Sequence, residues 1–431
     1  MKGSEKSRQS LLDEIMASGC NIGKKNAYYL SVFVVYIFVF NDFIVQSFSY
    51  AKYLDELVAV FAILLAICLC IRGGMRERVN KEGDFGLLIL FSINALVCSI
   101  RSDLQPFFSV VLPSLLLSVK FWLAMYFGYT VFEMLDLNQY ARKIFHHVKI
   151  IVWIFVILTI ADNIIGLFPA VYRYGIKSTH LFYSAPTSFA AACVFLFSIV
   201  LSVSKRVGNA KRYLAIILVL LCSTLRIKAI AAAFAFALIY YFIYVRKKKI
   251  TIRTFVIFIA LLVFLVWDQI EYYFFSDIQS DSARYQLLIT SIKIAKDYFP
   301  FGTGLGTFGS YYSAINYSPV YSMYHISNVN GLMEGATYFT SDSFWPMILG
   351  ETGVIGLVIM IILIIRLYLR IQKIRSIDTA QYTSALCILI YLLISSFAES
   401  AFVNPISIPL AIWLGQSLRL IKNNKKEISV S

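Results

Sequence analysis

The chain has 431 residues, is 59% hydrophobic and 16% aromatic, carries a formal charge of +15 and has a mean hydropathy of +0.74. That apolar content excludes an ordinary water-soluble domain, and the lack of sustained period-two alternation excludes an outer-membrane β-barrel. What remains is an all-α polytopic membrane protein, whose surplus of Lys and Arg reads as positive-inside topology rather than affinity for nucleic acid.

Residues 1–25 are polar and end in Lys24 and Lys25, so they read as a cytoplasmic N-terminal tail with no signal peptide. Apolar runs then recur at 26–46, 54–72, 85–101, 107–131, 147–168, 187–204, 209–224, 227–245, 251–268, 344–371, 381–398 and 404–421. Runs of roughly 17–25 residues each cover a hydrocarbon core, so about twelve transmembrane helices are expected. With the N-terminus inside, the inner connections hold Arg72, Arg76, Arg78 and Lys81, then Arg142 and Lys143, then Lys205, Arg206, Lys211 and Arg212, then 246–249 and 366–375. All basic clusters then fall on one side, and the tail 422–431 is cytoplasmic as well. The expected organisation is nine helices over 26–268, one large outer loop over 269–343, and three helices over 344–421.

Outer connections are short apart from about 18 residues near 169–186 and about 75 residues at 269–343. Loops of that length are functional or disordered, and the aromatic content of the second argues for order. Six of the seven cysteines lie in apolar runs without metal-ligand spacing and read as inert packing residues.

Two spans carry costly charges. Lys120 falls near the middle of the fourth span, where a lysine costs roughly 2.5–3.5 kcal/mol, so it is expected to face the bundle interior or a wet cavity. Arg226 and Lys228 interrupt the run from Leu214 to Tyr244, which is too long for one crossing. A break there puts both cations at a membrane face, where they either hold an anion or snorkel to the interface.

The long loop carries D-S-A-R-Y around Arg284, F-P-F-G-T-G-L-G ending at Gly306, a tyrosine-laden stretch to Thr340, and S-D-S-F-W-P-M-I-L-G-E-T-G-V-I-G from Ser341. Gly302, Gly304 and Gly306 invite a phosphate-loop reading, but no Gly-Lys-Ser/Thr follows, and a tight turn returning the loop to the membrane fits better. Glu351 lies about two turns into a helix and reads as structural, with Gly353 and Gly356 permitting close helix contact.

These residues, in this order, resemble the bacterial O-antigen and capsule polymerases and the related O-antigen ligases. The resemblance covers the architecture of nearly the whole chain. It is sharpest in Arg284 opening the loop, in P-x-G-x-G-x-G-x-F from Pro300 to Phe308, and in E-x-G-h-h-G from Glu351 to Gly356. Arg226 resembles the family's S-R segment, with Leu225 where a serine is usual, and 173–189 is placed like the outer loop leading into the sixth span. The ligases share a His-Asn pair about ten residues before E-x-G. Asp342 and Ser343 stand in that region here, which favours the polymerase.

The resemblance implies an enzyme of the bacterial cytoplasmic (inner) membrane that transfers a glycan from undecaprenyl pyrophosphate to a hydroxyl of another lipid-linked repeat unit. A flippase and a chain-length regulator would be its partners. Such a transfer needs cations for the pyrophosphate, a base for the acceptor hydroxyl and a platform for sugars. Arg226 and Arg284 offer planar guanidinium forks, with Lys228 and Arg173 in support. Alternatives remain for each. Arg284 also reads as a solvated cation or a partner of Asp281, and Arg173 and Lys177 as ordinary loop cations.

For the base, Asp342 comes first, although a carboxylate before a helix is also a standard cap. His325 comes second, its intrinsic pKa suiting proton transfer, although a loop histidine is more often surface. Tyr311, Tyr312 and Tyr324, with Tyr317, Tyr321 and Tyr338, offer faces for sugars or form an interfacial aromatic belt. No His or carboxylate cluster has metal-ligand spacing, so the expected transfer is metal-independent and needs no cofactor. A ligase of the same superfamily and a lipid-linked oligosaccharide flippase or other transporter are the competing readings. No matching halves of the transporter kind are visible.

Overall fold

The computed structural model describes residues 25–48, 50, 53–71, 84–132, 137–246 and 282–421. In chain order its helices are α1 (Lys25–Val39) and α2 (Asn41–Ser47), α3 (Leu54–Ile71), α4 (Asp84–Ser102), α5 (Leu112–Val131) and α6 (Leu137–Ile165). A small antiparallel hairpin follows, β1 (Val171–Arg173) with β2 (Ile176–Ser178), and then α7 (Pro186–Val203), α8 (Ala210–Ser223) and α9 (Ile227–Tyr240). The remainder comprises α10 (Ala283–Asp297), the short α11 (Tyr311–Ile315) and α12 (Val320–Met323), then α13 (Phe344–Ile374), α14 (Thr379–Ser395) and α15 (Ser407–Leu418). The protein is helical and membrane-spanning in character, as its composition requires.

Among the described residues, six helical stretches are long and apolar enough to cross a membrane, or seven if α1 and α2, bent by 68°, form one span. That is fewer than the twelve expected: α3, at the expected span 54–72, is not among the six, and the other differences have identifiable reasons. The expected span at 251–268 lies outside the described residues. Those at 209–224, 381–398 and 404–421 are helices of 14, 17 and 12 residues. Polar breaks shorten them, at Thr224–Arg226 and at 396–406.

The 26–46 run is also broken. Asp42 accepts the Ser184 amide and hydroxyl at 3.0 and 2.8 Å, which ties the second piece across to the segment ahead of α7.

The core is built on α7, α14 and α15. Nearly every side chain of α7, and every one of α15, is buried, as in a helix enclosed by others rather than facing lipid on one side. The crossing of α5 and α15 needs small residues. A Cβ on Gly128 would lie 2.0 Å from Ile412 O, and one on Gly415 the same distance from Met125 O. Lys120, on α5, is fully buried inside the bundle, as its cost in lipid predicts. At the other end of the bundle, Asp84 binds Arg366 at 2.7 Å and also Arg370. Asp378 caps α14 through Ala380 N at 2.8 Å while pairing with Arg206 at 2.9 Å.

Residues 282–343 fold around a core of their own, made of Leu287, Ile294, Phe308, Val320, Tyr321, Ile326 and Leu332. The aromatic richness of this segment therefore does mean order over its described part. Tyr321 is fully buried, its hydroxyl accepting Gly309 N at 3.0 Å and bonded to Ser313 Oγ at 2.8 Å. Tyr317 stacks on it at 5.3 Å. These two tyrosines are packing residues, which removes Tyr321 from the expected sugar platform.

Candidate functional site

Helix α13 is broken two turns from its start. Gly353 adopts φ 69°, ψ −168° inside it, a conformation open to glycine and strained for other residues. The break releases carbonyls that a continuous helix would use. Gly350 O accepts Thr303 N at 2.9 Å, Glu351 O accepts Gly304 N at 2.9 Å, and Thr352 O accepts Asn94 Nδ2 at 2.8 Å.

The glycine-rich loop thus lies directly on the break. A Cβ on Gly302 would meet Glu351 C and O at 2.5 Å, and one on Gly353 would meet Phe301 C at 2.1 Å. Gly353 therefore admits the loop rather than another helix.

The loop's amides are all used internally, which disposes of the phosphate-loop reading on geometry. Gly302 N donates to Cys98 Sγ at 3.3 Å and Leu305 N to Ser99 Oγ at 2.9 Å. Thr307 N and Phe308 N donate to Glu351 Oε1 at 3.1 and 3.2 Å, and Gly306 N and Ser310 Oγ also bond that carboxylate. Glu351 is structural, as expected. Its work is to hold the loop, and Cys98, expected to be inert, is a hydrogen-bond partner.

Around this scaffold the charged residues gather. Leu225, at φ 50°, ends the turn after α8, and Arg226 follows in extended conformation as the N-cap of α9. The hairpin secures that turn, with Thr179 N donating to Ser223 O at 3.0 Å and Ser178 Oγ to Thr224 O at 2.7 Å. Arg173 is carried on the same hairpin and interacts electrostatically with Arg226, as do Arg284, Asp342 and Glu399. Burial, then Arg173, pushes the Arg226 guanidinium below its ordinary pKa, and its Nε is buried without a hydrogen-bond partner.

Arg284, the second residue of α10, binds Asp342 through Nη2–Oδ2 at 2.7 Å. Lys228 binds Glu399 through Nζ–Oε2 at 2.5 Å. Asp342 lies just before Ser343, the N-cap of α13, so the starts of three helices, α9, α10 and α13, converge on the cluster. Converging N-termini, each with outward N–H groups and positive dipole end, favour anions.

The structure brings Arg173, Arg226, Lys228, Arg284 and Asp342 together. Asp342 caps no helix, since its carboxylate is engaged by Arg284. Burial raises its pKa against the opposing pull of Arg284. Asp281, the other partner considered for Arg284, lies outside the described residues. Lys177 is spent on Asp162 at 2.8 Å, a structural pair.

His325 is exposed at φ 57°, and its side chain forms no hydrogen bond or ion pair among the described residues. Tyr324 donates to Asp297 Oδ2 at 2.8 Å. Tyr311 is exposed and stands edge-on to Tyr312 at 5.4 Å. Among the described residues, the contacts of His325, Tyr311 and Tyr324 do not reach the cations. Sequence reasoning missed Glu399. The signal was a lone carboxylate after an apolar run in S-F-A-E-S-A-F, one residue past the expected end of a span.

Residues 212–361 match a family model described as O-antigen ligase. The match takes in Arg226, Lys228, Arg284, Asp342 and both halves of the loop-on-helix unit, and leaves Arg173 and Glu399 outside. No curated protein matches the chain.

Proposed function

We propose, on the premise that residues 212–361 belong to the O-antigen ligase and polymerase superfamily, that this protein is a lipid-linked oligosaccharide polymerase. It joins repeat units carried on undecaprenyl pyrophosphate at the outer face of the bacterial cytoplasmic membrane. The observation that carries this reading is the part-buried cluster in which two carboxylates offset two of four cations. Among the described residues, Arg173 and Arg226 have no ion pair of their own. A pyrophosphate diester brings about two negative charges, matching the pair left over, and the α9 N-terminus adds its dipole.

In the transfer, these guanidiniums hold the donor and stabilise the charge that grows on the pyrophosphate as the glycosidic C–O bond breaks. Arg284 keeps Asp342 in place at the entrance to α13, and a carboxylate of the cluster takes the acceptor proton. The exposed Tyr311 and the neighbouring Tyr312 offer an aromatic face for the growing glycan.

The family description itself favours a second reading, ligation to another acceptor. Deleting the gene in its host separates them. We expect single repeat units, on the surface or on the carrier, with long chains absent. Long chains stranded on the lipid carrier would establish ligation instead. Intermediates confined to the cytoplasmic leaflet would mean a flippase, and an unchanged glycan would remove the polysaccharide reading.

A further inference from the structure

Glu399 sits in the bend between α14 and α15, and that bend is fixed against the start of α13. Phe344 N donates to Ser396 O at 3.2 Å and Ser400 N to Ser341 O at 3.1 Å, while Trp345 Nε1 donates to Ser396 Oγ at 3.0 Å. The bend thereby carries a carboxylate from outside the family match into the cation cluster.

One oxygen, Oε2, is held by Lys228 at 2.5 Å, with the two side chains only 12% and 10% exposed. The other, Oε1, is buried and has no hydrogen-bond partner. A buried carboxylate oxygen without a donor bears a desolvation cost that a hydroxyl group would relieve. Asp342 differs, because it is the more exposed of the two, at 24%. The charged and titratable groups facing Glu399 are Lys228 and Arg226 from α9, Asp342 from the loop before α13, and Tyr391 from α14.

We propose that Glu399 is the general base toward the acceptor, and this rests on the glycan-transfer reading above. Its Oε1 accepts a hydrogen bond from the acceptor sugar hydroxyl while Lys228 holds Oε2 and fixes the direction of the free oxygen. The acceptor O–H bond breaks with its proton passing to Oε1, and the acceptor oxygen bonds to the anomeric carbon of the donor. The anomeric carbon–oxygen bond to phosphate breaks, its electron pair leaving on the lipid pyrophosphate beside Arg226 and Arg173. Glu399 then loses its proton to solvent. Proton removal by a positioned carboxylate contributes roughly 10²–10⁴-fold to rate.

The test uses the full chain and lipid-linked repeat units isolated from a strain lacking the gene, with chain extension followed against pH and undecaprenyl pyrophosphate binding measured in parallel. Glu399→Gln should lower kcat by about 10²-fold or more, leave binding within about threefold, and leave a residual rate without the acid limb of the pH profile. Glu399→Asp should retain the limb at a reduced rate, and Asp342→Asn should retain it too.

If Glu399→Gln fails to accumulate, the double variant Lys228→Gln/Glu399→Gln removes the buried pair as a unit and gives the same reading. Full activity with an intact acid limb in these variants would overturn the assignment. So would loss of the limb in Asp342→Asn alone, which would make Asp342 the base. A parent protein that neither binds undecaprenyl pyrophosphate nor extends chains would bring down the donor reading itself, whereas normal binding and transfer with an inert Glu399 would bring down only this step.

Discussion

The Glu351 carboxylate accepts the backbone amides of Thr307 and Phe308 at 3.1 and 3.2 Å, so a broken helix and a glycine loop 44 and 43 residues away close into one unit. Glu351→Ala would leave those amides buried and unbonded, at a cost of about 1–3 kcal/mol each. Glu351→Gln keeps one acceptor oxygen and should lose less. Thermal unfolding of the purified variants in detergent should rank parent, then glutamine, then alanine. An alanine variant as stable as the parent would refute the structural role.

Gly353→Ala should be worse than either. The added methyl would lie 2.1 Å from Phe301 C at a residue with φ 69°, combining a backbone clash with a left-handed conformation. Loss of folded protein is expected, read as membrane abundance. Gly335→Ala, also at positive φ but with open space around it, serves as the control and should still accumulate.

Arg226→Ala and Arg284→Ala should each abolish long polymer, through a loss of about 10² or more in rate, with abundance unchanged. Arg284→Lys should also fail if a guanidinium fork toward phosphate oxygens matters, since an ammonium cannot reproduce bidentate geometry, whereas a mere charge requirement would let it survive. Chain-length distributions on a gel give the answer: near-normal chains in Arg226→Ala would eliminate the pyrophosphate clamp, and near-normal chains in Arg284→Ala would eliminate a role for the Arg284–Asp342 pair.

Asp342 supplies a pH test. Burial raises its pKa in the folded protein, so its contribution to stability is present below the unfolded value and is lost as pH rises through the folded one. Asp342→Asn removes that dependence. The melting temperature of the variant minus that of the parent should therefore become more positive between about pH 4 and pH 7. A difference that falls over this interval would mean that the Arg284 pair outweighs burial.

Much of the site was legible before folding, because charges that membrane insertion opposes need a reason to be there. Arg226 and Lys228 mark a real break, and Lys120 is indeed inside the bundle. Asp342 was found through its place before α13, although its carboxylate serves Arg284 rather than the helix. The tyrosines were less legible, because an aromatic in a loop reads the same whether it faces sugar, as Tyr311 can, or forms a core, as Tyr321 does.

The sequence by itself determined the membrane class, the positions where apolar helices stop, and the two motifs that flank the long loop. These are local properties, set by transfer free energy and by backbone freedom at glycine. Only the tertiary structure decided that Pro300–Phe308 completes the hydrogen bonds of the helix broken at Gly353, and that Glu399 enters the cation cluster. Pairings of that kind depend on where distant chain segments cross, and neither hydropathy nor spacing along the chain encodes the distance between a carboxylate at the end of α14 and a lysine at the start of α9.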